Sequence, residues 1–378
     1  MSFEWSPQQA EGIKAMNDWY GAANQQIFRL FGYAGTGKST LANELAKSAA
    51  GSVLYMAYTG KAAVVMQKAG CRGASTIHSG VYKTKVDPVT GKAVFHLNKS
   101  GPASMASLIV IDECSMVDKD LAADLMSFGK PILALGDPFQ LPPVKSAGFF
   151  THKQDGQNTV PLDPDHMLTE IHRQAAGNPI IKLATDVRMG RPLVKGHYGE
   201  SCVIDSAEVD RQDVINADQV LVGLNRTRGA YNGRLRELLG RKTDDKLPIK
   251  EDRLVCLKNN HDIGIFNGGL FTVVGTRRSD ITTCIKLIVK SEDFPDRDPV
   301  EVDVRREFFN GNPKDIHWKE LYGTDQFDYG YALTVHKSQG SQWDWVYLFD
   351  ESATFRESAD RWLYTGITRA ANRITIVQ

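Results

Sequence analysis

The stretch IFRLFGYAGTGKSTLANELAKSA, residues 27–49, decides the fold. Its first five residues form an apolar run without alternation, the pattern of a strand buried on both faces of a parallel sheet. Its last ten, TLANELAKSA, read as a helix. Between them GYAGTGKS (32–39) fits G-x-x-x-x-G-K-[ST], and the strand before and helix after make that pattern a phosphate-binding loop. Gly32, Gly35 and Gly37 let the backbone wrap a β-phosphate, with N–H groups turned inward and a helix N-terminus behind. Lys38 is placed to reach the β- and γ-phosphates, and Ser39 to offer a hydroxyl to Mg²⁺.

Such a loop needs a carboxylate partner, and SLIVIDE (107–113) supplies it. An apolar strand ending in Asp112 and Glu113 suits Mg²⁺ at the first and a water-activating base at the second. Alone, an Asp-Glu pair after a strand more often marks a helix N-terminus; downstream of a P-loop the catalytic reading prevails. Together the motifs predict a nucleoside triphosphate hydrolase rather than a kinase, which has no need of the paired glutamate.

Length and composition bound the rest. The chain has 378 residues, 42% hydrophobic and 24% charged, enough for two or three domains with a sizeable core. No stretch approaches about 18 consecutive apolar residues, so no membrane span is expected. The start, MSFEWSPQQ, lacks the basic-then-apolar pattern of a signal peptide. The five scattered cysteines, with no C-x-x-C pair, suggest neither a disulfide framework nor a zinc site. A reducing compartment is the natural reading.

The 45 basic and 45 acidic residues cancel, which argues against a generic polyanion binder, yet the charge is segregated. Residues 225–242 carry Arg226, Arg228, Arg234, Arg236, Arg241 and Lys242 against Glu237 alone, whereas 292–307 is mostly acidic. The basic run is either a solvated helix face or an extension of a nucleic-acid track.

The rhythm of the chain predicts an α/β fold with two doubly wound parallel-sheet domains. IFRLF (27–31), VLYMA (53–57), SLIVI (107–111) and PILAL (131–135) form one strand set, and QVLVG (219–223), YALTV (331–335), VYLF (346–349) and RITIV (373–377) a second. Residues 81–97 read as a β-hairpin with its turn near Asp87–Gly91. Period-2 segments (RLVCLK, GLFTVVGT, TCIKLIVK) make 250–324 a small β-rich insertion. The expected layout is 1–79 with 103–175 as the first domain and 80–102 as its hairpin insertion. The second is 176–249 with 325–378, and carries the insertion 250–324.

Further stretches fix the class: YTGKAA (58–63), ASTIHS (74–79), IDECSMVD (111–118), GDPFQLPPV (136–144), LTEIHRQ (168–174), YALTVHKSQGSQ (331–342) and LYTGITRA (363–370). With the P-loop, their order and wording closely resemble the superfamily 1 DNA helicases of the RecD/Dda type, from residue 5 to the C-terminus. The resemblance implies two RecA-like domains with ATP and Mg²⁺ in the cleft between them. It implies 5′→3′ translocation on single-stranded DNA and unwinding at single-strand/double-strand junctions. A cytoplasmic monomer of prokaryotic or phage-type context, with replication or recombination proteins as partners, is the implied setting.

Residue by residue, the resemblance places Gln9 of WSPQQ on the adenine. Ser6, Pro7 and Gln9 also spell a capping box, and both readings stand together. Arg173 and Arg369 become the arginines facing the γ-phosphate, and Gln140 its sensor, with Pro142 and Pro143 stiffening the connector toward DNA. Thr36, Thr40 and Gly340 complete the implied nucleotide contacts. Thr59, Gly60, Lys61 and His78 in the first domain, and Thr334, His336, Lys337 and Ser338 in the second, become the DNA track, whose sugar–phosphate contacts read no sequence. The hairpin falls at the strand-separating pin, with Phe95 as the aromatic that meets the duplex and Tyr82 on the other arm. The insertion falls at an SH3-like subdomain, with NGG (267–269) as a turn common there. Trp343 and Trp345 read as core rather than as stacking platforms.

Two positions depart from the family pattern. Cys114 stands where alanine is usual, and is small enough to fit. Phe139 stands where a polar residue is common. Phosphate contacts alone do not separate DNA from RNA. An RNA helicase of the same superfamily, or a nucleic-acid-binding factor that uses ATP only as a switch, are the alternative readings.

Overall fold

The computed structural model describes residues 5–86, 93–142, 148–155, 158–170, 177–260 and 262–378. Apart from the hairpin segment Val86–Val94, the chain divides into two compact units, one ending at Met189 and one running from Gly190 to Gln378. Both are RecA-like α/β units.

In the first unit, six parallel strands stand in the order His166–Leu168, Ile27–Gly32, Ile132–Gly136, Leu108–Asp112, Val53–Ala57, Ser75–Thr76. Successive side chains point to opposite faces, and both faces are covered. Phe28, Leu30, Val110, Leu133 and Leu135 pack with Met16, Trp19, Leu41 and Leu45 of the flanking helices. Phe31, Ile109, Ile111, Ile132 and Ala134 face Val117, Leu121 and Leu125 on the other side. Burial on both faces is why these strands read as unbroken apolar runs. The two edge strands are too short to show any period.

The second unit has the sheet order Gly196–Tyr198, Ser201–Ile204, Ala370–Val377, Trp343–Phe349, Gln219–Val222, Ala332–Thr334, parallel except at its first, antiparallel edge pair. Its insertion is a five-stranded antiparallel sheet, ordered Val300–Arg305, Cys284–Ser291, Leu270–Arg278, Arg253–Cys256, Phe327–Tyr329. The last of these strands lies beyond residue 324, so the sheet outruns the expected insertion. Helix Pro179–Arg188 groups with the first unit, so that unit runs on to Met189 rather than stopping at 175. Tyr82–Val86 and Ala93–Leu97 form the expected hairpin ladder; the predicted turn at 87–91 lies outside the described residues. All five cysteines are free and buried. No helix among the described residues is long and apolar enough to cross a membrane.

Of the basic run 225–242, Arg236 is buried and Arg228 and Arg241 are partly buried, whereas Arg226, Arg234 and Lys242 stay exposed. Arg236, on helix Asn225–Leu238, forms a two-pronged pair with Asp252, through Nε to Oδ1 and Nη2 to Oδ2, each 2.9 Å. The arginine is 4% exposed and the aspartate 0%. Tyr331 Oη and the Ile249 N–H donate to the same carboxylate, and Arg236 Nη2 also donates to the carbonyls of Arg241 and Leu247. Arg228 pairs with Asp328, Arg234 and Lys242 with Glu237, and Arg241 with Glu251. Arg228, Arg236 and Arg241 thus serve as scaffolding that joins the α/β body to its β insertion, and Arg226, Arg234 and Lys242 keep the solvent-facing side of the run. Asp252→Ala should cost about 3–5 kcal/mol in urea unfolding, because it leaves a buried guanidinium uncompensated. A loss of less than about 1 kcal/mol, the scale of a surface pair, would contradict this reading.

Candidate nucleotide site and nucleic-acid track

The nucleotide residues come together at the carboxyl ends of three adjacent strands, where doubly wound sheets place their sites. Strand Ile27–Gly32 opens into the loop. A side chain at Gly32 would stand 2.5 Å from Thr36 Oγ1 and 2.9 Å from Leu168 Cβ, so only glycine fits. Gly35 and Gly37 are left-handed (φ 81° and 88°), the conformation that turns the loop into helix Lys38–Ser48. Lys38 Nζ donates to the carbonyls of Gly32 (2.6 Å) and Tyr33 (3.0 Å), and the Thr40 N–H closes the first helical turn on Gly37 O.

The neighbouring strand Leu108–Asp112 supplies the carboxylates. Ser39 Oγ donates to Asp112 Oδ2 at 3.3 Å, and the Glu113 N–H donates to Asp112 Oδ1 at 2.8 Å. Glu113 itself is left-handed (φ 52°, ψ 43°), a conformation costing of order 1–3 kcal/mol in a non-glycine residue and concentrated at functional sites. The Ser39 hydroxyl and Asp112 carboxylate are a hard-oxygen pair of the kind that would suit Mg²⁺. Cys114 is buried beneath them; a Cβ at Gly136 would lie 2.6 Å from its sulfur. Burial and the adjacent carboxylates of Asp112 and Glu113 raise its thiol pKa, so it acts as a small core residue.

Gln140 follows the third strand, Ile132–Gly136. It is buried, its N–H donates to Asp137 O, and the Asp137 carboxylate accepts from the Phe139 N–H. A tight turn therefore holds it near the sheet end. Pro142 is described; Pro143 and Val144 lie outside the described residues. So does Arg173.

Helix Pro7–Ala22 seats Gln9 against the loop. Its capping box is complete: Ser6 N–H donates to Gln9 Oε1 and Gln9 N–H to Ser6 Oγ. Gln9 Nε2 also donates to Thr36 O at 3.4 Å, so the cap orients an amide at the P-loop. Sequence reasoning missed its neighbour. Gln8 Oε1 accepts from the N–H groups of Thr169 (2.8 Å) and Glu170 (2.9 Å), and its Nε2 donates to Thr169 Oγ1. It thereby ties this helix to the segment that enters LTEIHRQ. Arg188, whose guanidinium lies 3.5 Å from the centre of the Tyr33 ring, is a second unforeseen contact. Nothing in the local sequence of either points to it.

The residues expected to form the track in the first unit follow the far strands of the same sheet. Thr59 caps helix Gly60–Lys68 by accepting from the Ala62 N–H, which leaves Gly60 and Lys61 in the first turn; Lys61 is largely buried. His78 lies 5.8 Å from Tyr82 and 5.5 Å from Phe95, ring to ring, and burial lowers its pKa.

In the second unit, strand Ala332–Thr334 ends at a turn where the Lys337 N–H donates to Thr334 Oγ1. Lys337 Nζ donates to Asn267 Oδ1 at 3.2 Å, and burial, then Arg228, lowers its pKa. The NGG signal marked that turn but not the contact. The His336 ring lies tilted against that of Phe355 (5.3 Å), which in turn stacks on Trp362. Ser338 departs from expectation. It is fully buried and its hydroxyl donates to Val335 O, so it shapes the turn rather than facing a ligand. Gly340 is left-handed (φ 76°). Arg369 is 5% exposed and clamped by the carbonyls of Thr365 and Ser341 and by Thr368 Oγ1. Trp345 behaves as core: its Nε1 donates to Thr375 Oγ1 and Arg373 covers its ring.

Comparison with known proteins agrees with this geometry. Residues 5–207 match the AAA domain family and residues 329–377 the UvrD-like helicase C-terminal domain. The ATP-dependent RecD2 DNA helicase of Deinococcus radiodurans is 27% identical over 93% of this chain and 47% of its own length. A probable conjugal transfer protein TraA of Sinorhizobium fredii is 24% identical over 86% of the chain and 29% of its own length. The chain thus spans about half, or less, of the curated relatives it matches. Among solved structures, a Pif1 helicase studied at forked duplex DNA aligns with TM-score 0.59 at 16% identity, covering 99% of this chain and 92% of that one. The Pif1 helicase of Candida albicans aligns at 0.57 and 19%, covering 100% and 95%. At these identities the likeness is one of fold. With its family match covering residues 5–207 of 378, more than half of its length, the chain belongs to the AAA-domain family.

Proposed function

We infer that this chain is an ATP-dependent DNA helicase that moves 5′→3′ on single-stranded DNA and opens duplex at single-strand/double-strand junctions. The observation that carries the reading is the meeting of Lys38, Ser39, Asp112 and Glu113 at one sheet end, Ser39 already hydrogen-bonded to Asp112. Its RecD2 relative, named as a DNA helicase, favours DNA over RNA, and the family resemblance supplies the polarity. The protein is read as a cytoplasmic monomer that works beside replication or recombination proteins.

In this mechanism the glycine-loop N–H groups and Lys38 hold the phosphates. Ser39 and Asp112 would hold Mg²⁺, which neutralises phosphate charge when bound. Glu113 takes the proton of the attacking water. Gln140 senses the γ-phosphate, while Arg173 and Arg369 stabilise charge building on the transferred group. Gln9 is read as the contact to the base. Thr59, Gly60, Lys61 and His78 in one unit, with Thr334, His336 and Lys337 in the other, carry the sugar–phosphate contacts whose hold changes with nucleotide state. Phe95 is read as the aromatic of the pin.

Glu113→Gln should lower DNA-stimulated ATP turnover by roughly 10²–10⁴-fold, the scale of a lost general base, while nucleotide binding persists. Lys38→Ala should abolish turnover; a variant that still hydrolyses ATP would overturn the site. Gln140→Ala should weaken DNA stimulation of the ATPase several-fold and leave nucleotide affinity nearly unchanged. Poly-dT should stimulate turnover more than poly-U; the reverse would favour the RNA helicase reading.

A further inference from the structure

Phe95 is 49% exposed, yet its ring is held. It lies 5.5 Å from the ring of His78 and 5.7 Å from that of Tyr82, and Tyr58 closes the far side of His78 at 6.2 Å. Four rings from three stretches of chain thus form one aromatic cluster, open to solvent at Phe95.

What fixes the cluster is Tyr82, the first residue of the opposite hairpin strand. Its hydroxyl donates to Asp124 Oδ2 at 2.6 Å. A hydroxyl–carboxylate bond of that length is among the stronger side-chain bonds in proteins. Its ring packs, with Leu97 from the other arm, against the buried cluster of Val81, Ile111, Cys114 and Leu121. The hairpin's root is therefore part of the first unit's core rather than an appended loop.

Asp124 belongs to helix Lys119–Met126, the element that leaves the catalytic carboxylates. After Asp112 and Glu113 the chain makes the short turn Cys114–Met116, then Asp118 caps the helix by accepting from the Leu121 N–H. Cys114, Val117, Leu121 and Leu125 are all buried along this path. Close-packed segments transmit displacement rather than absorb it.

We propose that Asp124 and Tyr82 are positioning residues: their hydrogen bond sets the height and tilt of the Phe95–His78 aromatic face that meets the first base pair to be opened. Neither is among the residues read as holding nucleotide or the strand, and the unpaired base is the ligand class the face presents its rings to. The inference rests on the helicase reading above.

The test measures duplex opened per ATP consumed, on a duplex with a 5′ single-stranded tail, for Tyr82→Phe, Asp124→Ala, Asp124→Asn and the double variant Tyr82→Phe/Asp124→Ala. Tyr82→Phe keeps the ring and removes only the hydroxyl. It and Asp124→Ala should each lower duplex opened per ATP by roughly threefold to tenfold, the scale of one hydrogen bond, with ATP turnover on single-stranded DNA within about twofold of wild type. Asp124→Asn, which keeps an acceptor oxygen, should recover most of the loss, and the double variant should be no worse than the worse single. Wild-type coupling in Tyr82→Phe, or losses that multiply in the double variant, would overturn the proposal. Phe95→Ala separates the two levels. Unimpaired opening by that variant would remove the pin reading and the proposal with it, whereas impaired opening there beside an intact Tyr82→Phe would remove the proposal alone.

Discussion

The chemistry of the first unit hangs on the register of three parallel strands. Phe31 stands beside Gly136, and Ile111 beside Ala134, so the loop after Gly32, the carboxylates at Asp112–Glu113 and the turn holding Gln140 leave the sheet side by side. Because side chains alternate across a sheet, a one-residue slip would turn Asp112 to the other face and separate its carboxylate from Ser39. The unbroken apolar strands prevent that slip. Each of their faces is sealed by its own core, and neither tolerates a carboxylate arriving in place of leucine or isoleucine.

Two sets of candidate residues divide the width of the same sheet. Its middle strands end at the candidate nucleotide residues, and Val53–Ala57 and Ser75–Thr76 lead into Thr59–Lys61 and His78. In the second unit the division is made differently. A buried Arg236–Asp252 pair, with Tyr331 and Ile249 closing the carboxylate, fastens the antiparallel insertion to the helix behind the parallel sheet. That fixed mounting lets Asn267, on the insertion, meet the ammonium of Lys337 on the body.

Strands buried on both faces were legible because their period is absent and their ends are marked by glycine or aspartate. The P-loop and its acidic partner were legible because phosphate chemistry leaves little choice of residue. The edge strands His166–Leu168 and Ser75–Thr76 were not, since two or three residues carry no pattern. Within the basic run 225–242 the scaffolding role of Arg228, Arg236 and Arg241 was not legible because sequence shows charge but not its partner: Asp252, Asp328 and Glu251 lie 10 to 100 positions away from the arginines they meet. Ser338 misled for a related reason, as a hydroxyl in a motif reads the same whether it faces solvent or closes a turn on Val335 O. Gln8 was hidden by Gln9. Two adjacent glutamines in a capping box look interchangeable, and only the fold shows one reaching the P-loop and the other the strand end at Thr169.

The central claim is that turnover at the Lys38–Glu113 site drives directional strand separation. The most direct measurement is strand displacement, with ATP and Mg²⁺, of two duplexes of identical sequence that differ only in carrying a 5′ or a 3′ single-stranded tail. The account predicts displacement of the 5′-tailed duplex, none without ATP, and little from the 3′-tailed one. Displacement of the 3′-tailed duplex with the 5′-tailed one left intact would contradict the polarity, and ATP turnover with neither duplex opened would contradict the claim itself.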